Sequence, residues 1–226
     1  MRCLYLSGVV KTTRAFIVIR PVQKLLKKGV DSLNKKCVAC TDEEYKRCVD
    51  LLRYGFVLDG VSIRPNPRIA TIVILEATLG LRIGDILKLK LSSFVKDGGR
   101  WRLDIVEQKT KKKRTFLVPL EVYSFILEYA VSNNIGVDAK LFDISARQVE
   151  RQLNKVFTKM GVPLRNYGTH TFRKYFCGKI YTQNDYDLIL TQTIMQHSSP
   201  ETTRRYLNVS TKRIEDALEK TANNLL

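Results

Sequence analysis

From Thr41 onward the apolar positions fall into stretches with a period of three to four, broken once by stretches that alternate. "TDEEYKRCVDLL" opens a helix: Thr41 caps it, Glu44 closes a capping box, and Gly55 lies past its end. "NPRIATIVILEATLG" is apolar nearly all round, which predicts a buried helix ending at Gly80. "RIGDILKLKL" predicts a helix restarting after a tight turn, so Arg82 sits where two helices meet. "RWRLDIVE" alternates and "RTFLVPL" runs β-like to Pro119, with "QKTKKK" between them. That is a hairpin over about 101–119 with a lysine-loaded tip, and the only convincing β region of the pattern. Residues 120–132 return to a helix. "SARQVERQLNKVFTKMG" puts Val149, Leu153, Val156, Phe157 and Met160 on one face, with a Ser145/Gln148 capping box and a stop at Gly161. Further helices are predicted to start near Thr171 and at Ser199-Pro200-Glu201. "TKRIEDALEKTANNLL" gives a last amphipathic helix over 211–226, with Ile214, Ala217, Leu218 and Leu225 roughly aligned. Residues 1–40 are basic and weakly patterned, and the main domain boundary is expected just before Thr41. The expected fold class is mixed α/β, mainly α-helical, with a small antiparallel sheet.

Charge narrows the partners. The 226 residues carry 39 Lys and Arg against 22 Asp and Glu, a net charge of +17. Such a surplus draws in a polyanion, and nucleic acid is the first candidate. An anionic membrane face would need an anchor or a basic amphipathic helix. No apolar run approaches the ~18 residues that span a bilayer, and the N-terminus lacks a signal-peptide layout, so a cytoplasmic, nucleoid-associated protein is expected. The five cysteines include one C-x-x-C, Cys37 and Cys40, with no second pair at zinc spacing; free thiols are the simpler reading. No cluster of carboxylates offers a two-metal site, so no metal and no cofactor is expected.

The chemistry-bearing residues are ordinary one at a time. Arg82 in "GLRIGD" could cap carbonyls or pair with Asp85. Lys109 in the hairpin tip is most simply a solvated lysine. His170 and Arg173 in "THTFRKY" make an H-x-x-R that fits any helix with an arginine on its wet face. His197 and Tyr206 bracket "QHSSPETTRRY", a capped short helix that holds them in fixed relation.

Order changes the picture. Arg82 with Asp85, a basic hairpin, His170-x-x-Arg173, His197 and then Tyr206 strongly resemble the signature of the tyrosine recombinases, the phage-integrase family. "ATLGLRIGDILKLKLSSF" looks like the first arginine box and "MQHSSPETTRRY" like the last, with Gln196 where a glycine is usual. The resemblance runs from about Thr41 to the C-terminus. It implies the family's catalytic fold and a site-specific recombinase or integrase of a mobile element or phage, which narrows the nucleic acid to double-stranded DNA. It also implies that Tyr206 attacks a DNA phosphodiester to form a 3′-phosphotyrosine. Arg82 and Arg173 would grip the phosphoryl oxygens with forked donors, and His197 would hydrogen-bond one of them. His170 is the candidate base and Lys109 the candidate acid. Lys111, Lys112 and Lys113 compete for the acid's role, although "QKT" fits the usual lysine-threonine step. Asp85 is expected behind these groups, orienting His170 or an arginine. Lys111, Lys112, Lys113, Arg114, Arg204 and Arg205 are expected DNA contacts. The resemblance further implies a monomer in solution, a homotetramer on paired DNA sites, and a tail (211–226) that docks on a neighbouring subunit. Whether accessory proteins bend the DNA stays open.

Two other readings compete: a type IB topoisomerase, whose box is usually K-x-x-R, and a DNA-binding module without catalysis. A metal-dependent nuclease fails for want of an acidic cluster. Forty residues are too few for the helical clamp that usually precedes such a domain, so the chain is either a fragment or carries a reduced clamp.

Overall fold

The computed structural model describes residues 37–164 and 166–207, without the side chain of Arg205. Residues 1–36 and the helix expected over 211–226 lie outside that range.

The fold is built around one apolar helix. α1 (Asp42–Tyr54) starts at Thr41, whose hydroxyl accepts the Glu44 N–H while the Glu44 carboxylate accepts the Thr41 N–H. α2 (Pro67–Leu79) starts with Asn66 as cap and Pro67 in its first turn. Ile69, Ile72, Val73, Leu75 and Leu79 of α2 are all buried, as its all-round apolar sequence requires. Gly80 ends it in the left-handed region (φ 59°).

Between α1 and α2 lies a small hairpin that the pattern did not predict: β1 (Phe56–Leu58) and β2 (Val61–Ile63). Its two-residue turn is Asp59-Gly60, both at positive φ (48° and 77°), the pair that a type I′ turn favours. α3 (Ile83–Ile86) is only four residues, shorter than the restart expected over "RIGDILKLKL", and Arg82 stands at its N-cap position.

The predicted hairpin is two strands of a three-stranded antiparallel meander, β3 (Phe94–Asp97), β4 (Arg100–Val106) and β5 (Lys113–Val118). β3 was not predicted; its burial pattern shows only Phe94 inward, so no alternation marks it in the sequence. Leu103 pairs with Phe94 on one side and Phe116 on the other. Leu103 and Val118 are buried in the same core as the helices. Trp101 stacks on Tyr123 of α4 (Leu120–Ser132), with ring centroids 3.7 Å apart.

α5 (Ala146–Met160) buries Val149, Leu153, Val156 and Phe157, with the Ser145/Gln148 box at its start and Gly161 at its end. α6 (His170–Gln183) packs on α2. α7 (Leu188–Met195), not predicted, is capped by Asp187, and α8 (Pro200–Leu207) follows; both pack on α6. No described helix is long and apolar enough to cross a membrane. Cys37, Cys40, Cys48 and Cys177 are free thiols, and burial pushes the Cys40 thiol up to about 12.

Candidate active site

Four chain segments converge where α2 ends: the Gly80–Asp85 turn, the β4–β5 loop, the start of α6, and the α7–α8 connection. Gly80 is the pivot. Its carbonyl accepts a hydrogen bond from Arg173 Nη1, and a Cβ added there would lie 2.2 Å from the Phe176 ring. Arg173 Nη2 donates to the Met195 carbonyl at 3.2 Å. The arginine is fully buried, and its Nε has no hydrogen-bond partner. Burial and the charge of Arg82 lower its pKa, while its interaction with Tyr206 works to keep the charge. A buried, held guanidinium with a donor left over is a site for an anion.

Arg82 is held differently. Its Nη1 donates to Glu107 Oε2 at 2.6 Å, and the other oxygen of Glu107 takes Arg114 Nη1 at 2.9 Å. Thr110 Oγ1 adds a third donor to Oε2 at 2.7 Å. Burial works against the Glu107 charge, but hydrogen bonds from Thr110, Arg114 and Arg82 outweigh it and hold the carboxyl down at about 2.

Arg114 corrects an expectation. It was read as a DNA contact on the hairpin surface, yet its side chain is only 1% exposed. Besides Glu107 it donates through Nη2 to the carbonyls of Ile194 (3.1 Å) and Leu79 (3.4 Å). In the register of β5 it faces inward, next to the ends of α2 and α7, and serves as a structural tie. Burial, then the charge of Arg173, brings its pKa down to about 10.

The histidines sit in the field of these cations. His170 opens α6 with an exposed flank, and crowding by protein atoms together with Arg173, Arg82, Lys109 and Lys174 lowers its pKa. His197 is buried, with Nδ1 2.9 Å from the Thr203 hydroxyl and Nε2 without a partner. Burial, then Arg173, Arg82 and Arg114, depress its pKa to about 4, so the ring is neutral at neutral pH. Gln196, at φ 51°, makes the left-handed turn that delivers His197 from α7; this is the conformation for which a glycine is the easier residue. Ser199 caps α8 through the Thr202 N–H. The Tyr206 ring then lies 4.6 Å from that of His197, with the Arg173 guanidinium 5.9 Å and Lys174 Nζ 5.5 Å from its centroid.

The hairpin lysines are exposed. Lys109 acts on His170 through its charge, which places it on the cleft side; Lys113 instead pairs with Asp104 at 3.2 Å. Arg204 is on the surface near Glu201 (3.7 Å), and the Arg205 side chain lies outside the described residues. Asp85 does not orient His170 or an arginine: its Oδ1 accepts the Gln108 N–H at 2.8 Å, because the hairpin loop folds down onto α3. Gly84 permits that approach, since a Cβ there would stand 3.0 Å from Gln108 Oε1.

Arg82, Lys109, His170, Arg173, His197 and Tyr206 thus share one neighbourhood. Glu107, Thr203 and Lys174 belong to it too and were not singled out. Glu107 ends the strand pattern two residues before Lys109, and nothing in its spacing reveals that it turns inward. Among the described residues no three His, Cys, Asp or Glu side chains cluster as metal ligands.

Known proteins share this fold. Residues 40–213 match the model of the phage integrase family. The "probable integrase/recombinase YoeC" of Bacillus subtilis is 32% identical over 154 residues, covering 65% of this chain and 81% of that protein. The tyrosine recombinase XerH of Helicobacter pylori is 25% identical, covering 61% of this chain and 40% of that protein. The chain therefore spans less than half of that relative. The XerH recombinase bound to palindromic difH substrate superposes with a TM-score of 0.61 at 20% identity, over 80% of this chain and 52% of that one. The catalytic domain of bacteriophage HP1 integrase does so at 0.55 and 18% identity, over 81% of this chain and 95% of that one. The described fold is that of a tyrosine-recombinase catalytic domain. With a family match reaching from residue 40 to 213, the chain belongs to the phage integrase family, the tyrosine recombinases.

Proposed function

We propose that this chain is the catalytic part of a site-specific DNA recombinase that cleaves and rejoins double-stranded DNA for a mobile element or phage. One observation carries the reading: Tyr206 lies against His197 and Arg173 within the same chain, beside donors that lack partners. Arg173 and Arg82 bind the non-bridging oxygens of the scissile phosphate. When Thr203 donates to Nδ1, His197 carries its proton on Nε2 and donates it to a third contact. The neutral His170 takes the phenolic proton. The Tyr206 oxygen bonds to phosphorus, the P–O5′ bond breaks, and Lys109 protonates the leaving 5′ oxygen. The product is a 3′-phosphotyrosine and a free 5′-hydroxyl, and rejoining is the reverse with a hydroxyl from another strand. The cationic groups supply the charge stabilisation, so the step needs no metal; one lost donor in such a site costs roughly 3–4 kcal/mol.

The reading extends to assembly: a monomer in solution, and four chains around two DNA sites with the 211–226 tail on a neighbour. The lambda integrase dimer bound to its core site, with a TM-score of 0.57 at 14% identity, supports multimers on DNA. With DNA as the proposed substrate, the reading includes work in the cytoplasm, at the nucleoid. Tyr206→Phe is expected to bind a suicide duplex yet trap no covalent adduct, while wild type traps one in excess EDTA. An adduct mapped to another tyrosine, or one that needs Mg²⁺, overturns the mechanism.

A further inference from the structure

We propose that Glu107 is a positioning residue that sets Arg82 and the lysine-bearing loop in one geometry. The inference rests on the proposed cleavage chemistry. Glu107 joins the phosphate clamp to the acid's loop through its side chain. Its carboxylate joins Arg82 at 2.6 Å, Thr110 at 2.7 Å and Arg114 at 2.9 Å, with its side chain at 0% exposure. Its main chain closes the turn: the Glu107 N–H donates to the Lys112 carbonyl and the Lys111 N–H to the Glu107 carbonyl, both at 2.9 Å. Lys109 lies between those bonds, next to Thr110. The pair with Arg82 uses one of the three guanidinium nitrogens, so the fork can take a phosphate oxygen while Glu107 keeps hold of it. Arg114, gripped by the other carboxylate oxygen, hangs the assembly from the carbonyls of Leu79 and Ile194, at the ends of α2 and α7.

A carboxylate suits this task and an amide does not. Glu107 accepts three hydrogen bonds, two of them from guanidinium groups that carry no acceptor to offer back. A glutamine has one acceptor oxygen, and its NH₂ group would face a guanidinium. Glu107→Gln therefore loosens Arg82 and the Lys109 loop together.

The test separates these effects by the leaving group. On a normal duplex, Glu107→Gln is expected to slow cleavage by about a hundredfold, the cost of a misplacement of about 1 Å, with DNA binding nearly unchanged. A 5′-thio leaving group needs no proton, so on that substrate the deficit should shrink to about tenfold, the part that belongs to Arg82. A general structural defect would slow both substrates equally. Lys109→Ala is the control for the reading beneath: its deficit should vanish on the thio substrate. If Lys109→Ala is rescued and Glu107→Gln is not, the positioning role falls and the cleavage reading stands. If neither is rescued, the assignment of Lys109 falls and the inference falls with it. Cleavage by Glu107→Gln at the wild-type rate also overturns it. Should that variant fail to fold, Thr110→Val removes a single donor from the carboxylate. It is expected to lose roughly tenfold on the normal duplex and almost nothing on the thio substrate; equal loss on both, or none, overturns the proposal.

Discussion

At the scale of single residues, burial and neighbouring charge decide protonation, and His197 shows what that does to stability. An unfolded histidine titrates near 6.5, whereas the buried ring, depressed by desolvation and the arginines, takes its proton only near pH 4. The folded pKa of a base is lowered, so between those values the unfolded chain binds the extra proton. Stability from this group is complete above about 6.5 and is lost as pH falls towards 4, by about 3 kcal/mol. Two carboxyls complicate a single curve. Glu76, fully buried on α2, is pushed well up by desolvation against the pull of Arg173, so its effect has the opposite sign and disfavours folding as pH rises. Glu107, held at about 2, contributes stability that is lost only below about 4.5. The difference between wild type and His197→Gln isolates the ring. Measured by urea unfolding, the wild-type advantage is expected to shrink by about 3 kcal/mol from pH 7.5 to 4. A difference that stays flat would mean that the folded ring titrates at its unfolded value of about 6.5.

At the scale of elements, the site depends on where helices stop. Gly80 ends α2 at φ 59°, leaves room for the Phe176 ring, and turns its carbonyl to Arg173. Gly80→Ala meets both the left-handed backbone and a Phe176 carbon at 2.2 Å. It is expected to cost about 2–4 kcal/mol of stability and to lower cleavage further by shifting Arg173, read from thermal unfolding and single-turnover rates. Wild-type stability in that variant would show that Phe176 moves aside freely. The stops were legible in the sequence because they are local: Gly80, Gly161 and the Thr41 and Ser145 boxes act within four residues. The β1–β2 hairpin was not predicted, because strands of three residues carry too little alternation to stand out even beside the turn pair in "LDGV". β3 had no pattern to read, since one buried residue in four makes none. The inward turn of Arg114 was not legible. Its neighbours in "KKKRTF" are exposed lysines, and only the register of β5 against β4, with Arg114 opposite Ile105, tells it apart. Asp85 was misplaced for a related reason: its partner is a backbone N–H 23 residues away, which no spacing rule reports.

At the scale of the whole molecule, a net charge of +17 predicts that the proposed DNA binding depends on salt, while the proposed chemistry uses a few of those charges. Lys111, exposed on the hairpin, is expected to act through phosphate contact: Lys111→Ala should lower the slope of log affinity against log salt by about 1 and leave the rate at saturating DNA unchanged. A lost rate with an unchanged slope would move the acid's role to Lys111. The remaining question is whether each subunit cuts with its own tyrosine. α8 packs on both α6 and α7 of its own chain, and Tyr206 sits between His197 of the α7–α8 connection and Arg173 of α6. A complete cleft within one chain predicts cutting in cis. On the proposed mechanism Tyr206→Phe lacks the nucleophile and Arg173→Ala lacks the clamp, so in a mixture each subunit still misses one part. The mixture is expected to form no more covalent adduct than either variant alone. If the tyrosine were delivered to a neighbour instead, pairing an intact tyrosine with an intact cleft would restore adduct in a fraction of subunits, and that recovery would overturn the cis arrangement. Loss of the tail by truncation after Ser210 should leave this outcome unchanged, because Tyr206 and its neighbours His197 and Arg173 all precede the cut.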